Sequence, residues 1–380
     1  MNFDLSKEQQ MICDSVATFI KDESPVERFR EGRATDQIWS KDIWKQMGDY
    51  GWLGIAFPEE VGGIGGSFLD MALILEELGK GLAPEPFIPS VVLAGGLIND
   101  HGTDAQKTHY LTPMIEGDLS LSFAYAERQS RYSTADCLTS ASKTGDEYVL
   151  NGEKVWVLNG HAADAHVVVA RTSGNQLDGE GLSLFLVPGD AAGLTATSVA
   201  GMDGHRTAFL KFENVTIGAE ALLGPEGGAQ GAIELALDRG AAAACAEGQG
   251  MLQKMLDLTV EYLKQREQFG VKIGSFQALQ HKAADMFAEV QLCKGTMLLA
   301  ALNADEDTET RQREISAAKV QLSDGGWFVQ ENAIQLHGGI GITDEQDVGL
   351  YFKRLRVLNG LFGDADHHVG RYQSLPGFDE

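Results

Sequence analysis

The chain has 380 residues, 43% of them hydrophobic, enough for two or three domains with sizeable cores and against large-scale disorder. A formal net charge of -25 argues against a nucleic-acid partner, because no basic patch offsets the repulsion of a phosphate backbone. Cys13, Cys137, Cys245 and Cys293 lie far apart without redox or metal-ligand spacing, so the sequence suggests no disulfide framework and fits a reducing compartment.

Ser6 and Gln9 are spaced as a capping box, and Met11, Ile12, Val16, Phe19 and Ile20 then recur with helical period, so an amphipathic helix opens the fold. That start lacks the basic end and apolar core of a signal peptide. No later segment reaches the roughly 18 uncharged apolar residues of a membrane span, so a cytoplasmic location is expected. Helical patterns continue through Trp44 to Trp52, Phe68 to Leu78 and Val91 to Ile98, interrupted by the glycine-rich turn 62–66. Residues 1–118 therefore read as an N-terminal helical domain.

Near Leu119 short β-prone runs take over: Leu121 to Tyr125, Tyr148 to Leu150, Val155 to Leu158, Val167 to Ala170, Leu182 to Val187 and Phe209 to Phe212. Asn151-Gly152 between two of these runs signals a hairpin. Residues 119–225 read as a mostly antiparallel sheet or barrel. Beyond them helical period returns, with Leu252, Leu256 and Leu263 on one stripe and Ala283, Phe287 and Val290 on another; the acidic run 305–309 reads as an exposed connection. The chain is thus an α+β multidomain protein, with residues 226–380 forming a C-terminal helical bundle. No βαβ alternation is present, which disfavours a Rossmann domain, and neither glycine cluster, 62–66 or 338–341, completes GxGxxG between a strand and a helix.

The segments Phe57 to Gly63, Leu75 to Gly79, Asn151 to Gly160, Arg266 to Gly270 and Gln335 to Gly341, in order over nearly the whole chain, together resemble the acyl-CoA dehydrogenase family. Phe57-Pro58-Glu59-Glu60-Val61-Gly62-Gly63 with Leu75-Glu76-Glu77-Leu78-Gly79 is similar to its N-terminal helical domain. The run from Asn151-Gly152-Glu153-Lys154 through Trp156 and Leu158 to Asn159-Gly160 is similar to the strand pair beside the flavin ring. Arg266-Glu267-Gln268-Phe269-Gly270 and Gln335-Leu336-His337-Gly338-Gly339-Ile340-Gly341 resemble the segments that hold the pyrophosphate and adenine half of FAD across a subunit interface. The resemblance implies a four-helix-bundle C-terminal domain, FAD as cofactor, an acyl-CoA substrate, an electron-transfer flavoprotein as acceptor and a homo- or heterotetramer. It assigns cofactor contacts to Trp156, Leu158, Arg266, Phe269, Gln335, Gly338 and Gly339. Read without it, Trp156 is a core residue, Arg266 a solvated or paired helix-end cation, and Gly338-Gly339 a helix C-cap.

The departures from the family pattern matter as much. Where the family carries Thr-Glu-Pro, this chain has Ala126-Glu127-Arg128, and Leu158 stands where a hydroxyl commonly meets flavin N5. Arg128 and Arg131 either meet CoA phosphates or line the surface. The family's reaction needs a desolvated carboxylate to take the α-proton while the flavin accepts the β-hydride. At the usual glutamate position stands Phe362, and at the second known position Gly240. Glu247, two helical turns beyond Gly240 and among Ala243, Ala244, Met251 and Leu258, is the leading replacement, with Asp364 and Asp366 as rivals. A metal at Asp364, Asp366, His367 and His368 is disfavoured by their diverging helical directions. The run Gly240 to Ala244 either leaves room for a bulky or α-branched acyl group or serves tight helix packing. The tail from Phe362 to His368 resembles heteromeric bacterial subunits acting on steroid side chains or dicarboxylyl-CoA thioesters. A non-catalytic partner subunit and a flavin oxidase or monooxygenase are the alternative readings.

Overall fold

The computed structural model describes residues 5–36 and 38–377; Met1 to Asp4, the polar start weighed against a leader, lie outside the described residues. Helix α1 (Lys7–Asp22) opens with the expected capping box: the Ser6 hydroxyl accepts from Gln9 N, and Ser6 N donates to the Gln9 side chain at 3.0 Å. It buries Cys13, Val16 and Phe19, whereas Met11 is 71% exposed. At 100° per residue Met11 lies nearly opposite Cys13, so the apolar stripe is narrower than its sequence pattern. Helices α2 (Val26–Gly32), α3 (Lys41–Asp49) and α4 (Phe68–Lys80) follow. A wide π-type segment at Ile88–Gly95 leads into α5 (Gly96–His101), and α6 (Asp104–Gln106) and α7 (Thr112–Ile115) complete the helical stretch.

The sheet comprises β1 (Leu121–Ala124), β2 (Ser140–Thr144), β3 (Glu147–Leu158), β4 (Ala165–Arg171), β5 (Leu182–Pro188), β6 (Leu194–Ala200), β7 (Arg206–Gly218) and β8 (Leu222–Leu223). Its order is β6-β7-β3-β2-β4-β5-β8, with β1 on β4. The β1–β4 and β2–β4 pairings are parallel and the rest antiparallel, as expected for the middle segment. Asn151-Gly152 is not a hairpin. β3 runs straight through it, with a register shift against β7 at this point. Gly152 lies so close to β2 that a Cβ would sit 2.6 Å from Thr139 Cα, and Asn151 Oδ1 accepts from Asn214 N at 2.8 Å. The pair therefore makes a bulge rather than a turn.

The described residues gather into two compact units. One spans Glu31–Ser67 and Pro84–Gly240; its core of Tyr148, Leu150, Val157, Phe185, Leu210 and Phe212, among others, fills one face of the sheet. The other gathers the described residues of Met1–Arg30, Phe68–Ala83 and Ala241–Glu380. It contains most of α8 (Gln230–Gln265), then α9 (Gln277–Leu302), α10 (Thr308–His337), α11 (Val348–Gly360) and α12 (Ala365–Gln373).

Leu252, Leu256 and Leu263 are buried as expected, but Phe287 is 56% exposed. The buried stripe of α9 is Met286, Val290, Cys293 and Met297; Val290 lies on it as expected, but Met286 rather than Phe287 faces the core. The acidic run is only partly a connection, since Asp307 caps α10 by accepting from Glu309 N and Thr310 N. Glycines let α4 and α8 touch backbone to backbone. A Cβ on Gly250 would stand 1.8 Å from Glu76 O, and one on Gly79 2.2 Å from Glu247 O. Neither neighbour is a flexible side chain that can yield. Gly250→Ala should therefore lower the urea midpoint by the equivalent of about 2–3 kcal/mol, whereas Gly231→Ala, with nothing within 4 Å, should leave it unchanged or raise it.

Candidate active site

In the sheet unit, a register shift in β3 between Lys154 and Val157 turns one residue out of the pleat. That residue is Trp156, held at φ 55° and 58% exposed, with its ring edge-on to Phe209 of β7 at 5.1 Å. An L-residue with a bulky side chain pays for this conformation, so the surrounding bonds must enforce it. They do so on three sides. Asn159 Oδ1 accepts from Trp39 Nε1 at 3.1 Å and its Nδ2 donates to Ser120 Oγ at 3.2 Å, which pins the strand end after Leu158. Val155 N donates to Ala126 O at 2.9 Å and so lays Ala126-Glu127-Arg128 beside the bulge. Below, Lys154 is fully buried and donates to Glu127 Oε1 at 2.7 Å and Tyr125 O at 3.1 Å.

Glu127 also accepts from Leu138 N at 2.8 Å, Thr139 N at 3.0 Å and the Cys137 thiol at 3.3 Å. Burial alone would raise its pKa, but the Lys154 ammonium and these hydrogen bonds outweigh it and hold the carboxyl at about 2. Arg128 donates to Glu153 at 2.8 Å and stacks over Phe209 at 4.9 Å. Its charge is thus engaged within the sheet unit. The result is an indole with an uncovered face on a rigid mount, which fits the flat ring of a flavin. Leu158 adds no side-chain polar atom to it.

In the helical unit, α8 runs through Arg266 into a hairpin of β9 (Glu267–Gln268) and β10 (Val271–Lys272). The two turn residues, Phe269 at φ 55° and Gly270 at φ 79°, are both left-handed, and the Phe269 side chain is 92% exposed. Tyr262 near the end of α8 stacks on His337 at the end of α10, with ring centres 4.6 Å apart. The structure thereby brings Arg266 and Phe269 to the same end of this unit as Gln335, Gly338 and Gly339. A Cβ on Gly338 or Gly339 would meet nothing within 4 Å, so the backbone there is open to close approach. A cleft of about 800 Å³ lies against Gln335, walled by Trp327, Phe328 and Phe352 and flanked by Lys282 and Lys353. Nothing in the sequence groups these five, because they lie on three different helices, α9, α10 and α11, and share no motif.

None of the three candidate carboxylates stands as a buried acid without a partner. Glu247 is buried and receives Arg354 Nε at 2.8 Å and Arg354 NH2 at 3.2 Å, a two-pronged pair across 107 positions of sequence. The pair explains why an acid sits on an otherwise apolar stripe. Asp364 caps α12 by accepting from His367 N at 3.0 Å, and Asp366 is exposed. Phe362 is buried in the turn between α11 and α12. Among the described residues no group of three or more His, Cys, Asp or Glu is placed to hold a metal ion, and no helix is long and apolar enough to cross a membrane.

Family models described as the N-terminal, middle and C-terminal domains of acyl-CoA dehydrogenase match residues 6–118, 122–215 and 227–371. The probable acyl-CoA dehydrogenase YngJ of Bacillus subtilis (strain 168) is 36% identical over 379 residues, covering 98% of each chain. The solved structure of butyryl-CoA dehydrogenase from Megasphaera elsdenii is similar at a TM-score of 0.90 and 28% identity, covering 98% of each chain. A chain of the ChsE4-ChsE5 complex from Mycobacterium tuberculosis matches at 0.87 and 27%, covering 98% of this chain and 97% of that one.

Two stability measurements probe the buried charges. The folded carboxyl of Glu127 lies below its ordinary value of 4.5, so its contribution is complete above that value and is lost as pH falls toward about 2. Glu127→Gln should abolish this part of the acid slope in urea midpoints. At neutral pH it should also cost about 3–5 kcal/mol by leaving Lys154 buried without its anion. Arg354→Met should cost a similar amount, and the double variant Arg354→Met/Glu247→Leu should recover most of it. A double variant no more stable than the single one would mean that the pair is not the reason for the burial.

Proposed function

Because this chain belongs to the acyl-CoA dehydrogenase family of FAD-dependent enzymes, we propose that it carries out α,β-dehydrogenation of an acyl-CoA thioester as a subunit of a homo- or heterotetramer, with an electron-transfer flavoprotein as acceptor. The observation that carries this reading is Trp156, a rigidly mounted and uncovered aromatic face at the position the family places beside the flavin. Bound FAD supplies the hydride acceptor. Of the chain's own residues, Trp156 would support the flavin ring and the backbone at Leu158 would satisfy its nitrogen. Arg266 would hold the pyrophosphate of the neighbouring subunit's cofactor, and Phe269, Gln335, Gly338 and Gly339 would hold its adenine half. The exposure of Phe269 on a fixed turn supports an oligomer, since an aromatic that bare is stable at an interface.

For the proton, Glu247 remains the proposed base, oriented by Arg354. The same pair favours a second reading, in which the chain is a non-catalytic partner that completes another subunit's FAD site. The small side chains from Ala241 to Ala244 are fully buried, which supports close helix packing as readily as a bulky acyl group. The likeness to the ChsE4-ChsE5 complex supports a heteromer, and the tail from Phe362 to His368 supports a bulky, steroid-side-chain type of substrate.

One preparation separates these readings. The purified chain, alone and then with any co-purifying partner, is assayed for FAD content and for anaerobic bleaching by a panel of acyl-CoA thioesters. A catalytic chain holds one FAD and is bleached, and Glu247→Gln with unchanged FAD content then slows bleaching at least about a hundredfold. Glu247→Gln turnover equal to wild type removes Glu247 as the base. FAD that appears only with a partner establishes the second reading.

A further inference from the structure

The turn that carries Phe362 is clamped from both sides. The last carbonyls of a helix lack intrahelical partners and ordinarily turn to water. At the end of α11 they turn instead to Lys319 of α10, a lysine with no exposed surface. Its Nζ donates to Leu358 O at 2.8 Å, Leu361 O at 2.8 Å and Asn359 O at 3.3 Å. Three acceptors around one nitrogen match the three hydrogens of an ammonium and exceed the two of a neutral amine.

With 358–361 wrapped around this cation, Phe362 takes a φ of 59° and Gly363 one of 113°. The first is costly for a bulky L-residue. On the far side, His368 Nε2 donates to Phe362 O at 3.1 Å, while its Nδ1 accepts from Ser316 Oγ at 3.2 Å; a carbonyl can only accept, which sets this tautomer. A Cβ on Gly363 would lie 2.5 Å from His367 Cδ2 and 2.7 Å from His368 Nε2, so the turn has no room to relax. Satisfying three carbonyls accounts for the burial of the lysine, and holding Phe362 at a left-handed φ is what the clamp does beyond that.

We infer that Lys319 is a positioning residue for the Phe362 turn, its ammonium setting where residue 362 stands against the acyl group of a bound thioester. This rests on the reading above, in which position 362 is the family's usual base position. The titratable groups facing Lys319 are Cys245 on α8 and Asp364 and His368 at the start of α12. Burial lowers the ammonium to about 8, against the opposing pull of Cys245 and Asp364. Burial pushes the Cys245 thiol up to about 12, and burial followed by Lys319 holds His368 at about 3. Between about pH 7 and pH 9, Lys319 therefore gives up a proton while the Cys245 thiol and the neutral His368 ring do not change. Loss of that proton removes one of the three donors and loosens the turn.

The test uses the full chain with its FAD and any partner that co-purifies, titrated anaerobically with an acyl-CoA that bleaches the wild type. The apparent Kd is read from flavin absorbance. The wild-type Kd should rise about tenfold from pH 7 to pH 9, the scale of one lost charged hydrogen bond. Lys319→Met should show the weaker value at both pH values with FAD content unchanged. A purely structural lysine would lower the melting temperature and leave affinity and pH profile alone. A flat wild-type profile, or Lys319→Met binding like wild type, overturns the inference. If Lys319→Met does not fold, the wild-type profile decides by itself. A wild type that holds FAD but is bleached by no thioester defeats the functional reading, and this inference falls with it. A wild type that is bleached with a flat profile defeats the inference alone.

Discussion

Burying the Lys154 ammonium without exposed surface obliges the middle of this protein to organise around it. The charge is tolerable only where an anion and enough acceptors surround it, and Glu127 supplies the anion. Glu127 can do so only if its own lone pairs are filled, which draws in the backbone of Leu138 and Thr139 and the thiol of Cys137. A loop of more than ten residues is thereby fixed to the strand that carries Trp156. The uncovered indole face follows from that fixation. A strand without the buried pair would have no reason to hold a tryptophan in a left-handed bulge at its surface.

The helical unit uses charge in a comparable way. Glu247 with Arg354 and Glu76 with Lys294, at 3.0 Å, are buried acids whose cations come from distant helices. Each pair fixes the register of two helices whose apolar faces would tolerate sliding. Where α4 and α8 meet through glycines, sliding by one turn would drive side chains into backbone carbonyls. Steric and electrostatic constraints thus specify the same arrangement, and a carboxylate on an apolar stripe is, in this setting, first of all a register mark.

Local signals in the sequence were sound wherever one short segment sufficed. The capping box at Ser6, the helix-to-strand change near Leu119 and the stripe of Leu252, Leu256 and Leu263 depend on neighbours within a few turns, and the structure shows each of them. Signals whose meaning depends on a distant partner were misread. Asn151-Gly152 looks like a turn until β2 and β7 press on it from both sides. Phe287 and Met11 look like core until the buried face is fixed by other helices. The candidate site divides in the same way: the segments around Trp156, Arg266 and Gln335 are legible as motifs, whereas the partner of Glu247 lies 107 residues away and carries no pattern. Lys319 was invisible for the same reason, since nothing in the sequence around it shows that its ammonium will meet carbonyls some forty residues on.

The helical unit is assembled from three separated stretches of chain, with α1 and α4 packed together and α4 also against α9. A ribosome delivers α1 and α4 long before α9 exists. During that interval Val16, Phe19, Leu75 and Leu78, all buried in the finished protein, have only each other to cover them. The sheet unit, whose last strand ends at Leu223, can meanwhile close on residues already made. Biosynthesis thus leaves the amino-terminal helices waiting for the carboxyl-terminal third. The nascent chain is in that interval a natural client for a chaperone, and a message truncated near codon 240 would yield a sheet with unclaimed helices attached.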